Sequence, residues 1–176
     1  MSHRRLQTER VYDGKLLHID RDRVLLPNGR ETVLEMVRHP GASAVVPFVT
    51  EEEILLVRQF RYATGGYILE APAGTLDPGE EPRACAMREV EEEVGYRPGR
   101  LQPLGWVYTT PGFTDERIHL WTAHDLTPSR QKLDADEVLT VVRLSFEDAL
   151  AKAYAGEITD AKTLCALMLA REARAS

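Results

Sequence analysis

The stretch Gly74 to Tyr96, GTLDPGEEPRACAMREVEEEVGY, contains a Pro/Gly-rich loop followed by a run of closely spaced glutamates. Its second half has helical periodicity, and Glu89, Glu92 and Glu93 share one helical face about 100° wide. Like charges at this spacing destabilise an isolated helix. The grouping makes physical sense if a cation lies between the carboxylates, and dense carboxylate oxygens suit Mg²⁺ or Mn²⁺ better than zinc.

Both ends of this helix are marked by residues with distinctive backbones. Pro82 suits a first-turn position, where its missing N–H costs nothing. Gly95 suits the left-handed position just past the last turn, and Pro98 prevents continuation. The opposite face carries core-type residues, namely Ala86, Met87, Val90 and Val94. We therefore predict a helix from Glu81 or Pro82 to Val94, with one buried stripe and one rigid acidic face.

Length and composition favour one domain with a small extension. The chain has 176 residues, of which 43% are hydrophobic, so it can bury one sizeable core. No apolar run approaches the ~20 residues of a membrane helix, and the start MSHRRLQTER lacks the apolar segment of a signal peptide. Cys85 and Cys165 are predicted to be reduced thiols. These features predict a cytoplasmic protein with no membrane contact.

The formal net charge of −6 argues against a nucleic-acid partner, because such partners usually meet a basic face. It allows a small substrate that carries phosphate, since that needs only a local arginine cluster and metal ions.

Segments of β-type sequence surround the acidic helix. Residues 1–40 predict a hairpin or a three-stranded sheet around a turn at 27–30, too small to have a core of its own. Further strands are predicted at 42–50, 54–62, 67–72, 101–108, 117–123 and 138–144. Ser145 and Asp160 are expected to cap two later helices, the second ending near Arg171. The order of elements predicts an α/β (α+β) domain with a largely β centre.

The loop and helix together resemble the Nudix box. The matching positions are Gly74, Glu80, Arg88, Glu89, Val90, Glu92, Glu93, Gly95 and Tyr96. The flanking segments RQFRYA, LEAPAG and TTPGFTDE are similar to the ADP-ribose pyrophosphatase branch of Nudix hydrolases, which carries a proline at the place of Pro111. The C-terminal run GEITDAKTLCALM also resembles it. The resemblance covers roughly residues 38 to 170.

The resemblance implies an α/β/α sandwich around a mixed central sheet over residues 41–176, with an N-terminal antiparallel β extension over 1–40. It implies hydrolysis of a nucleoside diphosphate derivative, first of all ADP-ribose to AMP and ribose 5-phosphate. Two alternatives stay open: the same chemistry on GDP-mannose, another nucleotide sugar or FAD, and a non-catalytic module that senses ADP-ribose. Members are often homodimers that exchange N-terminal strands, which predicts this role for residues 1–40.

The resemblance also implies a metal site. Two or more Mg²⁺ ions, for which Mn²⁺ can substitute, would be held by Glu89, Glu92, Glu93 and the backbone carbonyl of Ala73. The ions would neutralise the diphosphate and lower the pKa of a bound water. Glu70 would either ligate an outer metal or be a hydrogen-bonded strand residue.

Substrate contacts are predicted on both sides of the box. Arg61, and less directly Arg58, would bind the diphosphate, although strand alternation puts these two on opposite faces. Arg38 is a further candidate. Pro111 and Phe113 would shape the pocket for the terminal ribose, or simply form a rigid turn.

The remaining roles concern the base and the box loop. The resemblance implies an acidic base on a late loop, and Glu137, in LDADEV, is the predicted residue. The alternatives are Asp136, a metal-bound hydroxide alone, and a solvated acidic turn without a catalytic role. Arg88 is expected to orient a carboxylate, and Glu80 to organise the loop or pair with Arg88. Gly74 would let the backbone approach the phosphates or adopt a positive φ.

Overall fold

The computed structural model describes residues 3–175, which form strands, three α-helices and one 3₁₀ turn. The strands are β1 (Arg4–Asp13), β2 (His18–Leu25), β3 (Glu31–Arg38), β4 (Ala42–Pro47), β5 (Glu53–Arg61), β6 (Gly66–Glu70), β7 (Ala73–Thr75), β8 (Tyr96–Arg97), β9 (Arg100–Tyr108), β10 (Arg117–His124), β11 (Thr127–Pro128) and β12 (Leu139–Ser145). The helices are α1 (Pro82–Val94), α2 (Phe146–Tyr154) and α3 (Ala161–Ala175), and the 3₁₀ turn is Tyr62–Thr64. Within the described range, no helix is long and apolar enough to cross a membrane.

The chain divides into two compact units. The first contains the chain up to Pro40 together with Tyr108–Arg117. Its β1, β2 and β3 form an antiparallel sheet in sequence order, so the three-stranded alternative is the one present. Alternation along β2 buries Asp20 and Asp22 on one face. The sheet thus buries carboxylates where a self-sufficient core would have apolar side chains.

The second unit contains Gly41–Val107 and the chain from Ile118 onward. One sheet has the strand order β7-β4-β10-β9, and another has the order β12-β5-β6. Strands β4 and β10 are parallel, whereas β7 runs antiparallel to β4. The predicted mixed sheet is confirmed.

Helices cover both faces of this sheet structure. Along β4, Ala44 and Val46 belong to a core cluster that contains the buried residues of α2 and α3. Val45, between them, belongs to a second cluster with Ala86 and Val90 of α1. Successive side chains of a strand point to opposite faces, so α1 lies on one face and the C-terminal helices on the other. The second unit is therefore an α/β/α sandwich, as predicted.

The ends of α1 agree with the sequence. The helix begins at Pro82, and Gly95 follows it with φ 73° in the left-handed region. Helix α2 is capped as predicted, with Ser145 Oγ accepting from the Asp148 N–H at 2.9 Å. Helix α3 instead continues to Ala175, so its predicted end near Arg171 was wrong. The last residues are alanine, arginine and glutamate, which sustain a helix when nothing terminates it.

Strand β7 is a further departure, and the two-residue strands β8 and β11 were not predicted either. The sequence predicted a loop at β7, but Ala73 pairs with Ala44 and Thr75 with Ala42 at the edge of the sheet. This three-residue strand carries the backbone directly beneath α1. The start of the acidic stretch is thereby held by the sheet as well as by the helix.

Candidate active site

A strongly polar cavity of about 350 Å³ opens in the second unit, a size suited to a small-molecule ligand. Its acidic lining residues are Asp77, Glu89, Glu92, Glu93, Asp134 and Glu137. Its basic lining residues are Arg61, Arg88 and Lys132. The carboxylates outnumber the cations by three, so the cavity favours positively charged occupants.

Strand β7 and helix α1 meet at the floor of the cavity. The Ala73 N–H donates to Glu93 Oε2 at 3.1 Å. At Gly74, an added Cβ would lie only 1.9 Å from Glu89 Oε1, so any side chain there would displace the carboxylate. Gly74 is not among the residues with positive φ. The close approach at Gly74 is therefore to the Glu89 carboxylate, which a larger residue at this position would have to move.

Arg88 holds three carboxylates in place. Its Nε and Nη2 donate to Glu80 Oε1 and Oε2 at 3.0 and 2.8 Å, and its Nη1 donates to Glu92 Oε2 at 3.1 Å and to Glu89. The predicted pairing of Arg88 with Glu80 is confirmed. Glu89 and Glu92 are the further carboxylates that Arg88 orients. These bonds hold the pKa of Glu80 down at about 2. Glu80 also accepts from the Asp77 N–H at 3.0 Å, so it organises the box loop as predicted.

Two of the acids that line the cavity, Glu89 and Glu93, have raised pKa values. Burial, reinforced by the charges of Glu92 and Glu137, raises the pKa of Glu89 to about 7 in spite of Arg88. Burial and the charge of Glu89 raise the pKa of Glu93 to about 8. Their side chains lose water and gain too little positive charge in return. A divalent cation would supply the missing charge.

The donor set fits a hard divalent metal. Clustered carboxylates with a nearby backbone carbonyl are the oxygen ligands that Mg²⁺ prefers. Over residues 3–175, no three His, Cys, Asp or Glu side chains are already drawn around a single point. The hydrogen bonds account for this, because Arg88 Nη1 occupies oxygens of Glu89 and Glu92 and the Ala73 N–H occupies one of Glu93. The individual ligand assignments remain predictions.

A loop after β11 is docked on the C-terminal end of α1. The Ser129 N–H donates to the Gly95 carbonyl at 2.8 Å, the Lys132 N–H to the Glu92 carbonyl at 2.9 Å, and Gln131 Nε2 to the Glu93 carbonyl at 2.6 Å. These bonds satisfy carbonyls that a helix end leaves without partners. The docking fixes the start of the loop that carries the predicted base.

The same loop brings Glu137 into the cavity lining, where Asp136 is absent. Glu137 Oε2 accepts from the Asp134 N–H at 2.9 Å, which braces the turn between them. Sequence reasoning missed Lys132 and Asp134, which also line the cavity. Loop residues have no periodicity, and the docking uses helix carbonyls that every sequence has.

Arg61 lines the cavity and is held by Glu70. Its Nε and Nη2 donate to Glu70 Oε1 and Oε2 at 2.7 and 2.9 Å. Glu70 is only 1% exposed and also accepts from Lys162, which the sequence did not single out. Burial alone would raise the pKa of Glu70, but Arg61 and Lys162 outweigh it and lower that pKa. Glu70 is thus a hydrogen-bonded strand residue in this structure, and its ligation of an outer metal remains a prediction.

Arg58 and Arg61 have different surroundings, as the alternation of side chains along a strand predicted. The Arg58 guanidinium lies 4.1 Å from the centre of the Tyr67 ring and is not part of the cavity lining. In this structure the cation–π contact occupies Arg58, and its role in binding the diphosphate remains a prediction.

The other predicted substrate contacts belong to the first unit. Arg38 donates there to Asp20 and Asp115, each at 3.0 Å, and to Asp22. The carbonyl of Phe113 accepts from the Val37 N–H at 2.7 Å. Substrate roles for Arg38, for Phe113 and for the nearby Pro111 remain predictions.

Comparison with known proteins reveals consistent similarities. Residues 37–167 match the model of the NUDIX domain. The chain is 42% identical over 161 residues to an ADP-ribose pyrophosphatase of Bacillus subtilis (strain 168), covering 90% of this chain and 87% of that protein. It is 40% identical over 164 residues to a methanol dehydrogenase activator of Bacillus methanolicus, covering 92% and 89%. A crystal structure of an ADP compounds hydrolase superposes with a TM-score of 0.86 at 28% identity, covering 98% and 94%.

Proposed function

This chain belongs to the NUDIX domain family and is a pyrophosphohydrolase, and we propose that it cleaves ADP-ribose to AMP and ribose 5-phosphate with Mg²⁺. The observation that carries the proposal is the cavity beside α1, where three family-pattern carboxylates lie in one lining with an arginine that can bind phosphate. The ADP-ribose pyrophosphatase relative, matched over 90% of this chain, supports the substrate.

Glu89, Glu92 and Glu93, with the Ala73 carbonyl, would hold two or more Mg²⁺ ions. When bound, these ions polarise the phosphorus–oxygen bonds and lower the pKa of an attacking water. The protein's own contribution is geometric. Arg88 and strand β7 hold the carboxylates side by side on a rigid helix, so an ion would have only to draw together oxygens that already line one cavity.

Two further side chains would act on the substrate. Glu137 would accept the proton of the attacking water, because it is the predicted base that lines the cavity. Arg61 would bind the diphosphate. Glu70 occupies its Nε and Nη2, which leaves Nη1 able to donate to a phosphate oxygen.

A substrate panel tests the proposal. ADP-ribose, GDP-mannose and FAD are incubated with Mg²⁺ or Mn²⁺ in ¹⁸O water, and products are identified by mass spectrometry. We expect ADP-ribose to be cleaved with the highest kcat/KM and to give AMP, with no turnover in EDTA. Faster release of GMP from GDP-mannose would show that the same reaction has a nucleotide sugar as its preferred substrate. Tight ADP-ribose binding without turnover under either metal would favour a sensor module.

We also propose that the chain is a homodimer assembled through residues 1–40. The three-stranded sheet exposes apolar side chains, including Val11, Tyr12 and Val33 at 40%, 55% and 54% exposure. A second copy of the chain would cover such side chains in a dimer. Light scattering after size exclusion should give twice the chain mass of 19.8 kDa. A mass of a single chain across the micromolar range would contradict this.

A further inference from the structure

The first turn of α3 carries a network of buried charges that the proposed reaction does not account for. Lys162 Nζ donates to Glu70 Oε2 and, at 3.0 Å, to Asp160 Oδ1. The lysine side chain is only 13% exposed and that of Glu70 only 2%. Lysine is rarely buried unless it is paired. Here Lys162 pairs with two carboxylates, and these pairs fix the position of its ammonium group.

The network also holds the chain that leads into the active site. The Ala71 N–H donates to Thr163 Oγ1 at 2.7 Å, and that hydroxyl donates to Asp160 Oδ2 at 2.5 Å. Asp160 additionally caps α3 by accepting from the Thr163 N–H at 3.0 Å. Glu70 and Ala71 are thus both tied to the first turn of α3. Two residues further along, Ala73 begins β7 beneath the acidic helix.

Arg61 is the member of this network that reaches the cavity. Its Nε and Nη2 donate to the two carboxylate oxygens of Glu70. Among residues 3–175, its Nη1 has no hydrogen-bond partner, so this nitrogen can donate to a ligand. A bidentate arginine–carboxylate pair fixes the plane of the guanidinium. That plane depends in turn on the orientation of the Glu70 carboxylate, which Lys162 holds at Oε2.

We propose that Lys162 is a positioning residue for substrate binding: by fixing Glu70, it keeps the Arg61 guanidinium in the orientation that binds the diphosphate. The proposal rests on the proposed function for its substrate, but its geometric part concerns Arg61 alone. Without Lys162, Glu70 and Asp160 would share only the charge of Arg61, and Glu70 could rotate and take Arg61 with it.

A double-mutant cycle tests the coupling. We expect Lys162→Met to raise KM for ADP-ribose about tenfold, the lower end of losses seen when an outer partner of a site residue is removed, with kcat changed less than about twofold. Lys162→Arg should recover most of the loss, because it restores the charge. In an Arg61→Ala background, Lys162→Met should have almost no further effect. An equal loss in both backgrounds would overturn the proposal, because Lys162 would then act through α3 alone.

The matched control is Lys152→Met. Lys152 pairs with Glu157 at 2.7 Å at the end of α2, but both side chains are largely exposed. We expect its kinetics to equal those of the parent. Lys162→Gln, which keeps a polar head without the charge, replaces Lys162→Met if circular dichroism shows that the latter does not fold.

An NMR measurement decides the geometric part whatever the substrate proves to be. In protein with ¹⁵N-labelled arginine, the Nε–H signal of Arg61 is assigned by its absence in Arg61→Ala. We expect it to be sharp and protected from exchange in the parent and in Lys162→Arg, and broadened in Lys162→Met. An unchanged signal in Lys162→Met would overturn the positioning role. If the proposed function is wrong but the positioning role is right, ADP-ribose is not hydrolysed while the NMR signals still show the expected differences.

Discussion

Two carboxylate clusters in the second unit are buried to a similar extent but differ in charge balance. Glu70 is 1% exposed and shares its network with two cations, Arg61 and Lys162, and one further carboxylate, Asp160. Glu93 and its neighbour Glu89 are 2% and 7% exposed and face an excess of negative charge. The pKa of Glu70 is lowered, whereas the pKa of Glu93 is raised to about 8.

This difference separates a structural role from a ligand-binding role. A balanced buried cluster is complete as folded, so it orients its members. An unbalanced buried cluster is destabilising until a cation arrives, because its charges are desolvated and repel one another. Burial and residue type alone would have placed both clusters in one class. The count of opposing charges distinguishes them.

The largest expected effect is on catalysis at the unbalanced cluster. Glu93→Gln should lower kcat for ADP-ribose by orders of magnitude, because a metal ligand and its charge are lost while the shape is kept. Stopped assays of AMP release at saturating Mg²⁺ measure it. The control is Glu91→Gln, on the outer side of α1, where Glu91 pairs with Arg97 and activity should be unchanged. Full activity of Glu93→Gln would contradict the assignment of Glu93 as a metal ligand.

Gly74→Ala should come next in size. The new Cβ would lie 1.9 Å from Glu89 Oε1, so the carboxylate must move. We expect metal affinity to fall about 10–100-fold, the range for disturbed ligand orientation, with the fold retained. A Mn²⁺ titration followed by calorimetry measures it. Gly66→Ala is a suitable control, because an added Cβ there meets open space. Gly79→Ala is unsuitable, because the positive φ of Gly79 would strain an alanine.

Glu70→Gln tests the balanced cluster through stability. Removing one partner of a fully buried ion pair costs about 3–5 kcal/mol. Here Lys162 keeps Asp160 as a partner and the Arg61 side chain is 41% exposed, so we expect a loss near the lower end of that range. Urea unfolding of the metal-free protein should show a loss of this order. The same experiment on Glu93→Gln should show a gain, since that change relieves repulsion. Effects of the same sign in the two variants would contradict the difference in charge balance.

The last expected effect is a pH dependence of the stability of the metal-free protein. An unfolded glutamate titrates near 4.5, whereas folded Glu93 titrates near 8. The folded state therefore binds more protons between these values, so stability falls as pH rises from about 5 to about 8. Thermal melting in EDTA measures it, and each kcal/mol corresponds to about 2–4 °C for a chain of this size. The gap between the parent and Glu93→Gln should widen across this range.

The sequence predicted the elements that depend on local chemistry. Pro82 and Gly95 mark the ends of α1, and the spacing of Glu89, Glu92 and Glu93 puts them on one face, so both features could be inferred without contacts. The mixed sandwich came from the resemblance and from the order of elements, and β4 and β10 bear it out.

The balanced cluster could not be predicted, because it depends on long-range contacts. Lys162 and Glu70 are 92 positions apart, and neither carries a motif that names the other. The docking of Lys132 on α1 uses backbone groups, which leave no trace in residue type. Strand β7 is only three residues long, too short for a periodicity to show. Each of these features is defined by what the folded chain brings together.

Metal binding by the acidic face of α1 is the central claim, and a Mn²⁺ titration monitored by electron paramagnetic resonance tests it most directly. Parent protein, Glu93→Gln and Lys152→Met are titrated without substrate, and free Mn²⁺ is read from its signal. We predict that the parent and Lys152→Met bind Mn²⁺ equally and that Glu93→Gln binds it far more weakly. Equal binding by all three proteins would contradict the claim.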